Sequence, residues 1–469
     1  MSYYDDFKKI FPVVLAGGSG ERLWPISRVF YPKPFVDFDT QGSMFQKTIA
    51  RIQGMGKAII VGNEKHRKLF ERQLSGVNQK NFDIILEPFS KNTAPSLTIA
   101  CMKILKDYGD STVLVLPSDH VISDLEKFQD DIYRGHKFAK DGGIVLFGIE
   151  PKAPETQFGY IKTEINTNLN QNVIQVQDFI EKPNIESAKL FFKSANYYWN
   201  SGILMLRASI WIDLISYFRP QIVNFCKRAL EISNFRDGYL YPDEGNFGEI
   251  SSESIDYAVL EPVVSKKSKQ KNLPRCYVTS FSSEWLDLGS WNSRYDYGDK
   301  DDKGNVVEGD VMTIDSTDSI LISKKKLLVS LGLKNIVAVD SNDAIMISSF
   351  DKLDELKNIV SLLKSNGRKE AEFPVYVEEN WGSYEIISFS DKIVCKKFLL
   401  NSGFSIPPDL LSIVLKKCIV INGKIQIEID EDSFEMKPFD VFEIPSNVSC
   451  KITNNSDEIF EGIIISNSN

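Results

Sequence analysis

A chain of 469 residues is too long for one ordinary domain and predicts two or three. Its hydrophobic fraction of 42% and charged fraction of 25% suit a globular protein, and no run approaches the roughly 18 to 20 apolar residues of a membrane span. A net charge of −9 argues against a surface built for nucleic acid, so neither a membrane nor a nucleic acid is an expected partner.

The apolar run Ile10–Ala16 is short, carries Pro12 and follows charged residues, which reads as a first strand and not as a secretory signal. The six cysteines show no CxxC pair, the pattern of a reduced cytoplasmic protein. From Phe11 to about Trp291, strand-like runs (Pro12–Leu15, Ala58–Val61, Ile84–Leu86, Thr112–Leu116, Gly143–Gly148) alternate with helical patterns (Met44–Ile52, His66–Leu74, Ala94–Asp107). That alternation predicts a doubly wound α/β domain over 1–298 with a mostly parallel sheet, whose ligands gather at the carboxyl ends of its strands.

After the polar stretch Tyr297–Asn305 the chain turns strand-rich. Residues 315–322 (DSTDSILI) return as 340–347 (DSNDAIMI), which suits β-rungs repeating at about that interval in a small β-helical or β-roll segment, with simple hairpins as the alternative. An amphipathic helix follows, with Leu353, Leu356, Val360 and Leu363 on one face, and the polar run Lys364–Lys369 reads as a linker. The segment 299–370 is therefore a β-rich connector. Beyond it, 371–469 holds short strands at Ile393–Leu399, Leu411–Ile421, Lys424–Ile429, Val441–Ile444 and Ile459–Ile465, the pattern of an all-β jelly roll.

The densest chemical signal is LAGGSGERLWP at Leu15–Pro25, followed by Tyr31-Pro32-Lys33-Pro34-Phe35. A turn made of Leu15, Ala16, Gly17, Gly18, Ser19 and Gly20 after a strand lets backbone N–H groups close on an anion, with Arg22 and Lys33 as cations suited to a triphosphate. It is neither a Walker A loop nor the dinucleotide fingerprint. Asp119 follows the apolar strand ending at Leu116, and Asp287 lies between Trp285 and Trp291; carboxylates without nearby cysteine suit a hard ion such as Mg²⁺. Each of these aspartates taken alone reads as a turn residue.

Together with these, the chain resembles the bacterial mannose-1-phosphate guanylyltransferase family in its long form, with a C-terminal cupin-like domain of the mannose-6-phosphate-isomerase type. The resemblance spans nearly the whole chain. It is carried by the glycine-rich block, by Glu87–Pro95, Leu116–His120, Phe158–Ile161, Phe179–Pro183, Tyr198–Gly202, Ser254–Ala258 and Trp285–Trp291, in family order. It implies a Rossmann-like, GT-A-like nucleotidyltransferase domain that takes GTP and a sugar 1-phosphate. It further implies that Glu87, Asn92, Thr93, Pro95 and Ser118 lie at the nucleotide and that Gly159, Tyr160, Glu181, Lys182 and Asn200 lie at the sugar phosphate. Asp119 and Asp287 would hold the metal, with Arg22, Lys33 and Lys182 offsetting phosphate charge; His120 reads as structural. The same chemistry on another sugar phosphate, and a non-catalytic regulatory homologue, are the competing readings, and self-association through the connector or the C-terminal domain is left open.

The chain departs from the family at Glu21, where a small hydroxyl residue is usual, and at Pro34, where glutamine is common. The stretch Pro262–Ser283 is longer than usual and reads as a solvated loop. Isomerising relatives carry a histidine-rich metal site near the start of the jelly roll, whereas Ser405–Leu411 here has no histidine, and none follows His136. A cupin metal centre needs imidazole ligands, so isomerase activity is expected to be absent.

Overall fold

The computed structural model describes residues 6–18, 20–38, 42–75, 81–164, 173–265, 273–341, 343–379, 381–390, 392–411, 416–446 and 448–467. Contacts gather the chain into two compact units: Met1–Gly18 with Lys33–Gly289, and Ser19–Pro32 with Ser290–Asn469.

The strands of the first unit are β1 (Ile10–Ala16), β2 (Ala58–Asn63), β3 (Phe82–Glu87), β4 (Thr112–Pro117), β5 (His120–Ile122), β6 (Ile144–Ile149), β7 (Tyr160–Thr163), β8 (Val173–Ile180), β9 (Tyr197–Arg207), β10 (Asn234–Arg236), β11 (Tyr239–Tyr241), β12 (Cys276–Ser280) and β13 (Trp285–Asp287). Eleven of them form one sheet in the order β10-β11-β3-β2-β1-β4-β9-β6-β12-β8-β7. It is mixed. Pairing is parallel from β11 through β3, β2 and β1 to β4, and antiparallel pairing enters where β9 meets β4 and β6 and at the β7–β8 hairpin. β2 and β6 are buried at every position, which explains their unbroken apolar runs: helices cover both faces of a doubly wound sheet. Val13, Ile59, Val115 and Leu204 from the sheet pack with Leu97 and Trp211 from two helices in one core. The Trp211 indole is satisfied there by Thr98 Oγ1 at 3.1 Å. No helix among the described residues is long and apolar enough to cross a membrane.

In the second unit the connector is a four-stranded sheet of Val306–Ile314, Ile320–Leu331, Ile336–Asp340 and Ile345–Ser349. The first three strands run parallel and the last returns antiparallel. Val306 pairs with Ile320 and Ile320 with Val337, so successive rungs lie 14 or 17 residues apart and not at the spacing of the DSTDSILI echo, whose second copy includes Asn342, outside the described residues. Turn chemistry sets that spacing: Asp315 and Asp318 both adopt positive φ, at 53° and 51°, where aspartate is better tolerated than branched residues. The outward side chains of this sheet are apolar, including Met312, Ile314, Val329, Leu331 and Ile347, each more than half exposed. The run from Lys364, read as a linker, begins inside the helix Leu356–Ser365.

The C-terminal strands form a six-stranded and a three-stranded sheet. Between them Phe398, Leu400, Val420, Ile427, Ile452 and Phe460 make the core of a jelly roll. The histidine-free stretch packs into this core: Ile406, Leu410 and Leu411 are all buried in it. Residues 412–415 of the strand expected over Leu411–Ile421 lie outside the described residues, and the strand itself is Lys416–Asn422.

Candidate active site

Strand pairing explains how two distant carboxylates meet. β4 ends at Pro117, and Ser118 is held to β1 by its N–H and its hydroxyl, which both donate to Leu15 O at 3.2 and 3.0 Å. Asp119 follows, and β5 then pairs antiparallel with β13 so that His120 stands opposite Asp287. Lys33, from the short turn Lys33–Phe35, reaches between the carboxylates: its Nζ donates to Asp119 Oδ2 at 2.9 Å and to Asp287 Oδ1 at 2.6 Å. Burial by itself would lower the Lys33 pKa; the two carboxylates outweigh it and hold the ammonium above its ordinary value. His120 is a supporting group. Its Nδ1 accepts from the Trp285 indole at 3.2 Å, and burial lowers its pKa.

Lys33 marks a point where two oxygen donors converge on one positive charge. Among the described residues no cluster of three or more histidine, cysteine or acidic side chains could hold a metal. The two carboxylates that meet at Lys33 are oxygen donors of the kind that would suit a hard divalent ion with phosphate oxygens and water in the rest of its shell.

A cavity of about 450 Å³ opens at the carboxyl ends of the strands, lined by Leu15, Gly17, Gly18, Glu87, Asn92, Thr93, Asp119, Asn200 and Asp256. Gly18 has φ 107°, a conformation that other residues rarely adopt, and a side chain at Gly17 would project into open space. The 16-residue helix Thr93–Tyr108 starts at the cavity. Asn92 caps it with φ 67°, its side chain accepting from Thr93 N at 2.8 Å. The dipole of that helix favours an anion or a polar base near its start, although its first N–H groups are spent: Thr93 N on Asn92, Ala94 N on Glu253 O at 3.1 Å, and Pro95 has none. Glu87 is buried beside it and accepts from Ser96 Oγ at 2.7 Å; burial pushes its carboxyl up to about 8, so it is largely protonated at neutral pH and can donate a hydrogen bond.

The expected sugar-phosphate residues Gly159, Glu181 and Asn200 also assemble. A Cβ on Gly159 would lie 2.5 Å from Glu181 Oε2 and 3.4 Å from Asn200 Cβ, so glycine keeps the approach open. Asn200 N donates to Gly159 O at 2.7 Å, and Asn200 Nδ2 donates to Asp256 Oδ1 at 2.9 Å. Burial first, and then the neighbouring Asp256, push Glu181 up to about 7, against the pull of Lys182. Lys182 sits at φ 44° with its half-exposed Nζ 3.4 Å from Glu181 Oε1. Asp256 opens a π-helical turn, Asp256–Leu260, and burial raises its pKa. No role was read for it in the sequence, although it stands inside the Ser254–Ala258 block; its one detectable signal was that position.

Other expected residues stand elsewhere. The Tyr160 hydroxyl accepts from Glu155 N at 3.0 Å, which makes it a brace for a loop. Ala16 is buried in β1, Pro95 is buried in the first turn of the Thr93 helix, and Ser118 is occupied with Leu15. Gly20 and Arg22 belong to the second unit, where Glu21–Leu23 form a single 3-10 turn, and Ser19 lies outside the described residues.

The nucleotidyl transferase family matches residues 11–304, and the MannoseP isomerase/GMP-like beta-helix domain matches residues 309–363. The mannose-1-phosphate guanylyltransferase of Salmonella montevideo is 34% identical over 426 residues, covering 90% of this chain and 88% of that protein. A solved structure titled mannose-1-phosphate geranyltransferase, from Thermus thermophilus, matches with TM-score 0.65 at 23% identity over 76% of this chain and 99% of its own, a likeness of fold. A mannose-6-phosphate isomerase structure from Helicobacter pylori matches with TM-score 0.50 at 27% identity over 59% of this chain and 99% of its own. That span exceeds the C-terminal segment 371–469, which is 99 of 469 residues, so the match is not confined to the jelly roll. With the eight motif blocks in order and a transferase-type cavity at the strand ends, the chain belongs to the mannose-1-phosphate guanylyltransferase family of nucleotidyl transferases.

Proposed function

We propose that this chain makes GDP-mannose and pyrophosphate from GTP and mannose 1-phosphate. The observation that carries the reading is the meeting of Lys33, Asp119 and Asp287 beside a cavity lined by the glycine turn, the start of the Thr93 helix, and the bonded pair Asn200 and Asp256. The Salmonella relative's name supplies the sugar and the guanylyl group.

The sugar phosphate is an anion at neutral pH, so its attack needs no general base. One of its oxygens forms a bond to the α-phosphorus of GTP; the bond from that phosphorus to the bridging oxygen breaks, and pyrophosphate leaves with the electron pair. Repulsion between anions is the obstacle, and positioned positive charge removes it. Lys33 lies where the α-phosphate would meet the carboxylates, Lys182 and Glu181 orient the sugar phosphate and its hydroxyls, and Gly17 and Gly18 leave the floor open to phosphate oxygens. Asp119 and Asp287 would hold Mg²⁺, which when bound neutralises charge developing on the transferred phosphate. Protonated Glu87 and the helix end at Thr93 would read the nucleotide.

A pyrophosphate-release assay across a matrix of nucleoside triphosphates and sugar 1-phosphates tests this. Fastest turnover with GTP and mannose 1-phosphate is expected, and a better pair elsewhere in the matrix would overturn the assignment. The exposed apolar side chains of the connector, Met312, Ile314, Val329, Leu331 and Ile347, are the surface we assign to self-association. Sedimentation of the Leu331→Lys variant beside the parent chain, the variant dissociating, checks it.

A further inference from the structure

Asn200 lies where β9 bulges: Leu146 of β6 faces Leu204, yet Gly148 faces Asn200. A bulge re-aims a side chain, and here the turn closes on the amide itself. Gly202, at φ 72°, donates its N–H to Asn200 Oδ1 at 3.2 Å, the turn in which an asparagine side chain takes the N–H two residues on. The other end of the amide donates from Nδ2 to Asp256 Oδ1 at 2.9 Å. With both ends bonded the amide has one orientation, because turned over it would set its NH2 group against the Gly202 N–H and its oxygen against a carboxylate. Nδ2 carries two hydrogens and the carboxylate takes one, so one remains for a ligand in the cavity that Asn200 and Asp256 both line.

Asp256 is itself held in place. It opens the π-helical turn Asp256–Leu260, a local form that often marks functional positions. The segment before it is laced to the start of the Thr93 helix: Glu253 N donates to Lys91 O at 3.2 Å, Ala94 N to Glu253 O at 3.1 Å and Ile255 N to Thr93 Oγ1 at 2.9 Å. Arg219 grips the same segment, its Nη2 donating to Glu253 Oε1 at 2.5 Å and to Tyr257 O at 3.3 Å. This framework fixes where the carboxylate stands, and the carboxylate fixes the amide. We propose that Asp256 is a positioning residue for the sugar phosphate: it locks the Asn200 amide so that the remaining Nδ2 hydrogen is presented to a ligand oxygen in the cavity. This rests on the placement of the sugar phosphate at Gly159, Glu181 and Asn200.

The test uses the full chain with Asp256→Ala, Asp256→Asn, Asn200→Ala and the double substitution Asp256→Ala with Asn200→Ala. Two readouts serve: KM for each substrate with both varied, and calorimetric affinity for mannose 1-phosphate beside a GTP analogue that cannot be cleaved at the α-phosphorus. Asp256→Ala should weaken sugar-phosphate handling about tenfold, the order of one lost hydrogen bond, with KM for GTP nearly unchanged. Asp256→Asn, whose carbonyl keeps an acceptor at the same position, should recover most of that loss. The double variant should be no weaker than Asn200→Ala alone, since the carboxylate acts through the amide. If the melting temperature shows that Asp256→Ala does not fold, Asp256→Glu, which keeps the charge and displaces the acceptor, carries the same expectation. Unchanged sugar-phosphate KM in Asp256→Ala overturns the proposal. So does an Asp256→Asn variant as weak as Asp256→Ala, because the charge and not the acceptor would then matter, or a double variant weaker than Asn200→Ala, because the carboxylate would then act on the substrate directly. A parent chain that binds mannose 1-phosphate but transfers nothing refutes the transfer reaction and leaves the contrast among the variants readable in affinity; a parent chain that binds no sugar 1-phosphate overturns both.

Discussion

Lys33 in the transferase unit and Lys416 in the C-terminal jelly roll are both almost fully buried, at 4% and 2% exposure, yet they sit in opposite chemical settings. Lys33 is clasped by two carboxylates next to an open cavity. Lys416 lies in the sandwich interior with its Nζ 3.7 Å from the Cys450 thiol, among apolar side chains such as Ile444 and Cys418. A buried charge is retained only where something compensates its desolvation. In the first unit that compensation also assembles a site for anionic substrates. In the second it yields a packed interior, with no metal-binding cluster among the described residues. One chain thus holds two folds whose buried lysines meet different partners.

The sharpest way to break this contrast is at the carboxylates. Asp119→Asn or Asp287→Asn, either of which leaves Lys33 one carboxylate, should lower turnover on the order of 10²- to 10³-fold at some cost in melting temperature, and excess chelator should lower turnover of the parent chain without that cost. Normal turnover in chelator would mean that Lys33 alone serves the phosphates. Next in size, Lys182→Ala should raise KM for the sugar phosphate by an amount equivalent to about 1.5 to 3 kcal/mol, with KM for GTP nearly unchanged. Kinetics with both substrates varied decide it, and equal effects on the two substrates would remove the division of the cavity into nucleotide and sugar ends.

A smaller effect concerns pH. The folded chain holds the Glu87 proton up to about pH 8, whereas the unfolded chain releases it near the ordinary value of 4.5. The stabilising contribution is therefore complete below about 4.5 and is lost as pH rises towards 8. Glu87→Gln should flatten that part of the stability curve, and denaturant melts across this range measure it; parallel curves for variant and parent would show that Glu87 ionises normally. The smallest effect belongs to the jelly roll. Lys416→Met should leave turnover untouched and stability near neutral or slightly raised, because an apolar residue of similar shape replaces a buried charge. The same domain should give no conversion of mannose 6-phosphate to fructose 6-phosphate in a metal-supplemented assay, for want of imidazole ligands. Metal-dependent turnover there would erase the contrast between the two units.

Much of this was legible in the chain itself. Local chemistry decided it: unbroken apolar runs gave the buried strands, and the motif blocks in order gave the family. Tertiary structure alone decided which groups meet. The pairing of β5 with β13 brings Asp119 to Asp287 across 168 positions, and Lys33 comes to rest between them, although spacing along the chain gave it no carboxylate partner. The role of Asp256 depends on its bond to Asn200, and the neutrality of Glu87 on burial, neither of which periodicity encodes. The rung spacing of the connector escaped the sequence because a resembling octet is a weaker constraint than two aspartates at positive φ. The pairing of Glu21 was invisible for the same physical reason: a charge acts through its neighbours in space, and the lysine that it meets lies 343 residues away along the chain.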